Sequence, residues 1–187
     1  MTRSTHMNNQ ITSYKIHPAT VDDVPSIRQV AVFTWWTIYP SIISAEQIEY
    51  MLDVLYNEKT LRKLIDIQEQ CFLILSEDEV TEAFAAYGPI ENNLEAYKIH
   101  KFYILPQKHH MGFGRALITQ IVNITKKDGK KYLELNVNRN NPAKGFYEKL
   151  GFKVVEDVDI PIGNFWMNDY IMRLDIDTDW QFDSPEF

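Results

Sequence analysis

Residues Ile27, Val30, Ala31, Thr34 and Trp35 recur at three- and four-residue spacing, which places them on one face of a helix over 24–39 that Pro40 ends. Ahead of it, 13–18 alternates in part and reads as a short strand. Thr20 with Asp23 then forms a capping box before Pro25. Ser44 with Gln47 is a second such box, opening a helix that carries Ile48, Met51, Leu52 and Leu55. Asn57 caps a third helix over 58–67, with Leu61, Leu64 and Ile65 turned inward.

From Gln70 the period changes. The runs 71–75 and 83–87, separated by the acidic Glu77-Asp78-Glu79, read as a β-hairpin, and 97–105 as a further strand stopped by Pro106. A loop over 107–114 leads to a helix over 115–127 with Leu117, Ile118, Ile121, Val122 and Ile124 at helical spacing, closed by Asp128-Gly129. In 131–138, Leu133, Leu135 and Val137 face one way and Tyr132, Glu134, Asn136 and Asn138 the other. Strand, loop, helix and strand make the βαβ unit of a parallel pair. A short helix over 142–150 and strands over 152–158 and 166–176 complete a mixed α/β domain. No repeat, linker or low-complexity segment interrupts it. Residues 1–12 are read as disordered or vector-derived, and 177–187 as an acidic peripheral tail.

Composition narrows the class. A chain of 187 residues with 45% hydrophobic, 24% charged and 13% aromatic residues suits one globular domain, here 13–176. Nineteen Lys and Arg against 26 Asp and Glu leave a formal charge of −7, which disfavours a nucleic-acid partner and attracts cations. Cys71 is the only cysteine, so it forms no internal disulfide; lying in an apolar run, it is expected to be a buried thiol in a reducing compartment. No apolar stretch reaches the roughly 18–20 residues that span a bilayer, and no signal peptide is visible, so no membrane partner and a cytoplasmic location are expected. His109-His110 suggests a metal hydrolase only weakly: adjacent histidines rarely share a face and no carboxylate-spaced partner accompanies them, so no metal is expected.

Two clusters carry candidate chemistry. His109-His110-Met111-Gly112-Phe113-Gly114-Arg115 joins a strand to a helix, where glycine permits positive φ and helix-end amides attract phosphate. It lacks the third glycine of a dinucleotide fingerprint and the Gly-Lys-Ser/Thr of a P-loop, and an ordinary tight turn is the plain alternative. The second cluster runs from Asn140 through Phe146-Tyr147 to Leu150-Gly151-Phe152. Its plain reading is a loop and a short amphipathic helix burying Phe146 and Leu150, with Gly151 as C-cap.

Together, over 100–152, these clusters resemble the GNAT superfamily of acetyl-CoA-dependent N-acetyltransferases. The resemblance implies an acyl-CoA N-acyltransferase fold: a central, mostly antiparallel sheet with one parallel βαβ pair and flanking helices. It implies that the loop His109, His110, Met111, Gly112, Phe113, Gly114 and Arg115 cradles the CoA diphosphate, with His109 where Gln or Arg usually stands. It implies also that Phe102, Tyr103 and Ile104 lend main-chain groups to the acetyl-pantetheine arm, that a backbone N–H near Ile104 serves as oxyanion donor, that Asn140 contacts the cofactor, and that Tyr147 is the catalytic acid. A phenol with an ordinary pKa near 10 can protonate a departing thiolate of similar basicity. The alkylammonium acceptor must itself lose a proton, for which Glu134 and His100 are candidate bases; His100 is equally readable as a structural histidine.

The acceptor side resembles bacterial spermidine/spermine-type members, on Thr34-Trp35-Trp36-Thr37-Ile38-Tyr39 and Ser44-Ala45-Glu46-Gln47-Ile48 and on Asn168-Asp169-Tyr170-Ile171-Met172 in the closing hairpin. Trp35, Trp36 and Tyr39 are readable as a cation-binding wall or as core. Glu82 stands where many relatives have Gly, a departure that bears on the shape of its strand. A small-molecule primary amine such as a polyamine is the expected acceptor. A protein or peptide amine and a non-catalytic acyl-CoA sensor are the alternatives, and a homodimer is left open.

Overall fold

The computed structural model describes residues 13–176; the readings of 1–12 and 177–187 lie outside them. Seven strands, β1 (Tyr14–Pro18), β2 (Cys71–Glu77), β3 (Val80–Ile90), β4 (Asn93–Ile104), β5 (Tyr132–Asn138), β6 (Lys153–Ile162) and β7 (Phe165–Asp175), form one sheet in the order β1-β2-β3-β4-β5-β7-β6. Only β4 and β5 run parallel. The helix α4 (Phe113–Lys127) makes their crossover. Helices α1 (Val24–Ile38), α2 (Ala45–Leu55) and α3 (Glu58–Asp66) precede β2, and α5 (Ala143–Lys149) follows β5.

Alternation along the strands feeds two cores. Leu73, Leu75, Ala83, Ala85, Leu133 and Leu135 pack under α4, with Leu117, Ile118 and Ile121 fully buried. Phe72, Ile74, Phe84 and Ala86 point to the other face and are covered by Ile27, Trp35, Ile48 and Leu61 of α1–α3. The caps are present: Ser44 Oγ accepts from Gln47 N–H at 3.2 Å, Asn57 Oδ1 from Thr60 N–H at 2.9 Å, and Asp23 Oδ2 from Thr20 N–H at 2.7 Å.

Three expectations change. Strand β4 begins at Asn93, four residues before the sequence pattern suggests, because its hairpin end is solvent-facing and Leu94 is 84% exposed. Helix α4 starts at Phe113, directly after Gly112, rather than at Arg115. Cys71 is exposed, since it opens β2 with its side chain outside the alternation that buries Phe72 onward. Among the described residues no helix is long and apolar enough to cross a membrane.

Candidate active site

The parallel pairing of β4 with β5 is short. It covers Ala96–Ile99 against Tyr132–Leu135, after which the strands part company. Lys101 to Ile104 stay with β3, opposite Ala86 to Ala83, while Asn136 to Asn138 stay with β7, opposite Ile171 to Asp169. Each strand is held by its outer neighbour, so the sheet opens between them. His100 sits at the register shift of the β3–β4 pairing, where the opening starts. A strand edge without a partner is a ready acceptor for an extended chain, which pairs by main-chain hydrogen bonds. Phe102, Tyr103 and Ile104 lie on that edge.

The loop after β4 reaches α4 through a 3₁₀ turn at Pro106–Lys108, with His110 at φ 65° and Gly112 at φ 83°. Left-handed backbone at Gly112 lets α4 begin without strain. Ala116 N–H is bonded to the Gly112 carbonyl at 3.0 Å, so the helix amides before it point off the end, where the macrodipole favours an anion. His109 donates from Nε2 to the Ile104 carbonyl at 3.2 Å, tying the loop back to the strand. Lys108 bonds Glu77 and lies 3.3 Å from Glu82 Oε1, so the carboxylate at position 82 holds the loop against the sheet.

Tyr147 lies on α5, whose first turn is braced by Asn141 Oδ1 accepting from Ala143 N–H at 2.9 Å. Its ring is 6.1 Å from Phe102, 5.3 Å from Phe146 and 5.8 Å from Phe152, and the residue is 7% exposed. Burial, and then the neighbouring Tyr39 oxygen, push the phenol above its ordinary value, so it stays protonated at neutral pH. Asn140 is exposed at the turn between β5 and α5, its N–H donating to Asn138 Oδ1 at 3.0 Å. The loop, the β4 edge and Tyr147 thus share the α4 and α5 side of the opening.

The two candidate bases lie elsewhere in character. Glu134 is held by Arg173, whose Nη2 and Nε reach Oε1 at 2.6 and 2.8 Å. His100 has its Nε2 buried without a partner, and burial, followed by Lys98 and Lys101, lowers its pKa to about 4. Of the aromatic wall, Trp35 is buried and stacks on Tyr39 at 4.4 Å, while Trp36 turns to solvent. Tyr39 belongs instead to a polar group whose assembly the sequence did not announce. Tyr103 and Tyr56 share a hydrogen bond of 2.7 Å, and Asn141 Nδ2 approaches the Tyr39 hydroxyl at 3.5 Å. Asp169 of β7 is 1% exposed, and its charge acts on Tyr39. The available signal was an acidic residue directly before the apolar Tyr170-Ile171-Met172 of β7.

Gln47 Nε2 donates to the Trp166 carbonyl at 3.0 Å, and the Tyr50 and Phe165 rings are 5.4 Å apart, fixing the β6–β7 hairpin to α2.

Known proteins share this fold. The family described as acetyltransferase (GNAT) domain matches residues 41–174. A spermidine N(1)-acetyltransferase of Thermoplasma acidophilum is 31% identical over 152 residues, 79% of this chain and 92% of that protein. An N-alpha-acetyltransferase 50 of Danio rerio is 25% identical over 111 residues, 58% of this chain and 66% of that protein. The crystal structure of a PaiA N-acetyltransferase from Thermoplasma acidophilum in complex with coenzyme A superposes with a TM-score of 0.76 at 27% identity, covering 87% of this chain and 99% of that one. With a strand opening, a helix-end loop and a family match over most of its length, the chain belongs to the GNAT family of acetyl-CoA-dependent N-acetyltransferases.

Proposed function

We propose that the chain acetylates a primary amine on a small molecule, a polyamine being the class that suits it best. The observation that carries the reading is the parting of β4 from β5 beside the buried Tyr147 phenol. In this reading the amides of the loop from His109 to Arg115, with Asn140, hold the CoA diphosphate. The β4 edge at Phe102, Tyr103 and Ile104 takes the pantetheine arm as an added strand. A main-chain N–H near Ile104 faces the oxygen that gains charge as the amine adds, and the Tyr147 hydroxyl protonates the leaving thiolate. The identity to a spermidine acetyltransferase, the hairpin tied to α2 and the net charge of −7 all favour a small cationic acceptor. The free thiol of Cys71 and the use of acetyl-CoA accord with a cytoplasmic location.

A peptide amine is the second reading, favoured by the N-alpha-acetyltransferase relative. An acceptor panel with acetyl-CoA, followed by free CoA release, separates the two. Turnover on spermidine and spermine with little on peptides supports the polyamine reading. The reverse preference supports the peptide one, and CoA binding with no turnover on any amine would overturn both.

A further inference from the structure

We propose that Asp169 is the carboxylate that meets the acceptor's ammonium group and takes up its proton before the amine attacks the thioester. The inference rests on the amine-acetylation reading above and names the proton acceptor for it.

Asp169 is 1% exposed, and its Oδ1 has no hydrogen-bond partner. A buried carboxylate oxygen left unsatisfied is costly, and such groups recur where a site is built for a ligand. Every group that faces it leaves that oxygen free. From β5, Asn136 Nδ2 approaches only Oδ2, at 3.4 Å. Lys98 of β4 and Arg139 after β5 act on it through their charge, and Arg139 gives its Nη2 to the Val158 carbonyl at 3.1 Å and to Asp159 at 2.6 Å. Tyr39, at the end of α1, feels the Asp169 charge, and its own oxygen is felt by Tyr147. Asp169 lies opposite Asn138, in the part of β5 that has left β4, so the carboxylate borders the opening. Burial raises the Asp169 carboxyl above its ordinary value, and burial of an ammonium beside it lowers that group, so the two approach one another. By contrast, Glu134 is spoken for by Arg173.

The proton balance closes. One ammonium proton passes to Asp169 and then to solvent. The freed amine nitrogen bonds the acetyl carbon, the carbon–sulfur bond breaks, and the thiolate takes the Tyr147 hydroxyl proton. The second nitrogen proton returns to the Tyr147 oxygen as the amide forms.

Asp169→Asn tests this. Against a primary alkylamine, kcat/KM at pH 7 should fall about 10²–10³-fold, the range of a lost acid–base group. Against an alkoxyamine, already neutral at pH 7, it should fall less than about tenfold by the same reasoning. CoA affinity by calorimetry should not change. Equal losses on both amines, or none, would overturn the inference while leaving the function intact. Absence of turnover by the wild-type enzyme on any amine would remove the function itself and this with it. If Asp169→Asn does not fold, Asp169→Ser with added formate decides: restored alkylamine turnover supports the role, and a folded but unrescued variant contradicts it. Failure of both to fold would also contradict it, because a carboxylate needed for folding is not a free base.

Discussion

A β-carbon on Gly114 would stand 2.8 Å from Cζ of Phe146 and 3.0 Å from Cδ1 of Ile104. The first turn of α4 is thus pressed onto both α5 and the end of β4, joining the proposed diphosphate loop to the proposed thioester position. Gly114→Ala should force these elements apart, costing about 1–3 kcal/mol as overpacking does. The expected readouts are a lower melting temperature and weaker CoA binding. An unchanged melting temperature would mean that the contact is softer than its geometry indicates.

Tyr147→Phe keeps the ring that packs against Phe102 and Phe152 and removes only the hydroxyl. CoA release in the presence of amine should fall at least about 10²-fold with CoA affinity unchanged. Because burial raises the phenol, the wild-type rate should not lose this acid until the pH exceeds the ordinary phenol value.

Lys108 holds Glu77 and Glu82 at once, and both carboxylates are nearly buried. Lys108→Met would leave them facing each other without a cation. The loop from Pro106 to Gly112 should then detach from β2 and β3, weakening CoA binding about tenfold or more, as loss of a charge-assisted contact does. Glu82→Gln, which leaves Glu77 in place, should do less. Calorimetric titration of both variants checks the order.

His100 has a folded-state pKa of about 4 against an ordinary value of 6.5. Between these values the unfolded chain binds the proton and the folded one does not, so stability falls as pH drops from about 6.5 towards 4. His100→Gln should flatten that segment of the stability curve, by an amount on the order of 3 kcal/mol or less at its acid end. Urea unfolding from pH 7 to pH 4 measures it.

Local signals in the chain carried a long way. The caps at Thr20, Ser44 and Asn57 and the alternation in β5 depend on neighbours within four residues, and all recur in the fold. The exposed start of β4 was illegible because Asn93-Leu94-Glu95 has no buried face to impose a period. Cys71 misled because membership of an apolar run does not say whether the first residue of the strand is covered. The acceptor side was hardest. Glu134 meets Arg173 and Asp169 meets Asn136 only through the β5–β7 pairing, across more than thirty residues of chain, and no sequence spacing encodes that. The loop and the Phe146-Tyr147 pair were readable because they are contiguous. Their relation to the strand opening was not, since it depends on where β4 and β5 stop pairing.

The most direct test of that opening is hydrogen exchange of backbone amides with and without saturating CoA. Binding should slow exchange at Phe102 to Ile104 and at Gly112 to Gly114 together, as one ligand covers a strand edge and a helix end. Tight CoA binding that leaves both segments exchanging at their free rates would contradict the assignment of the site.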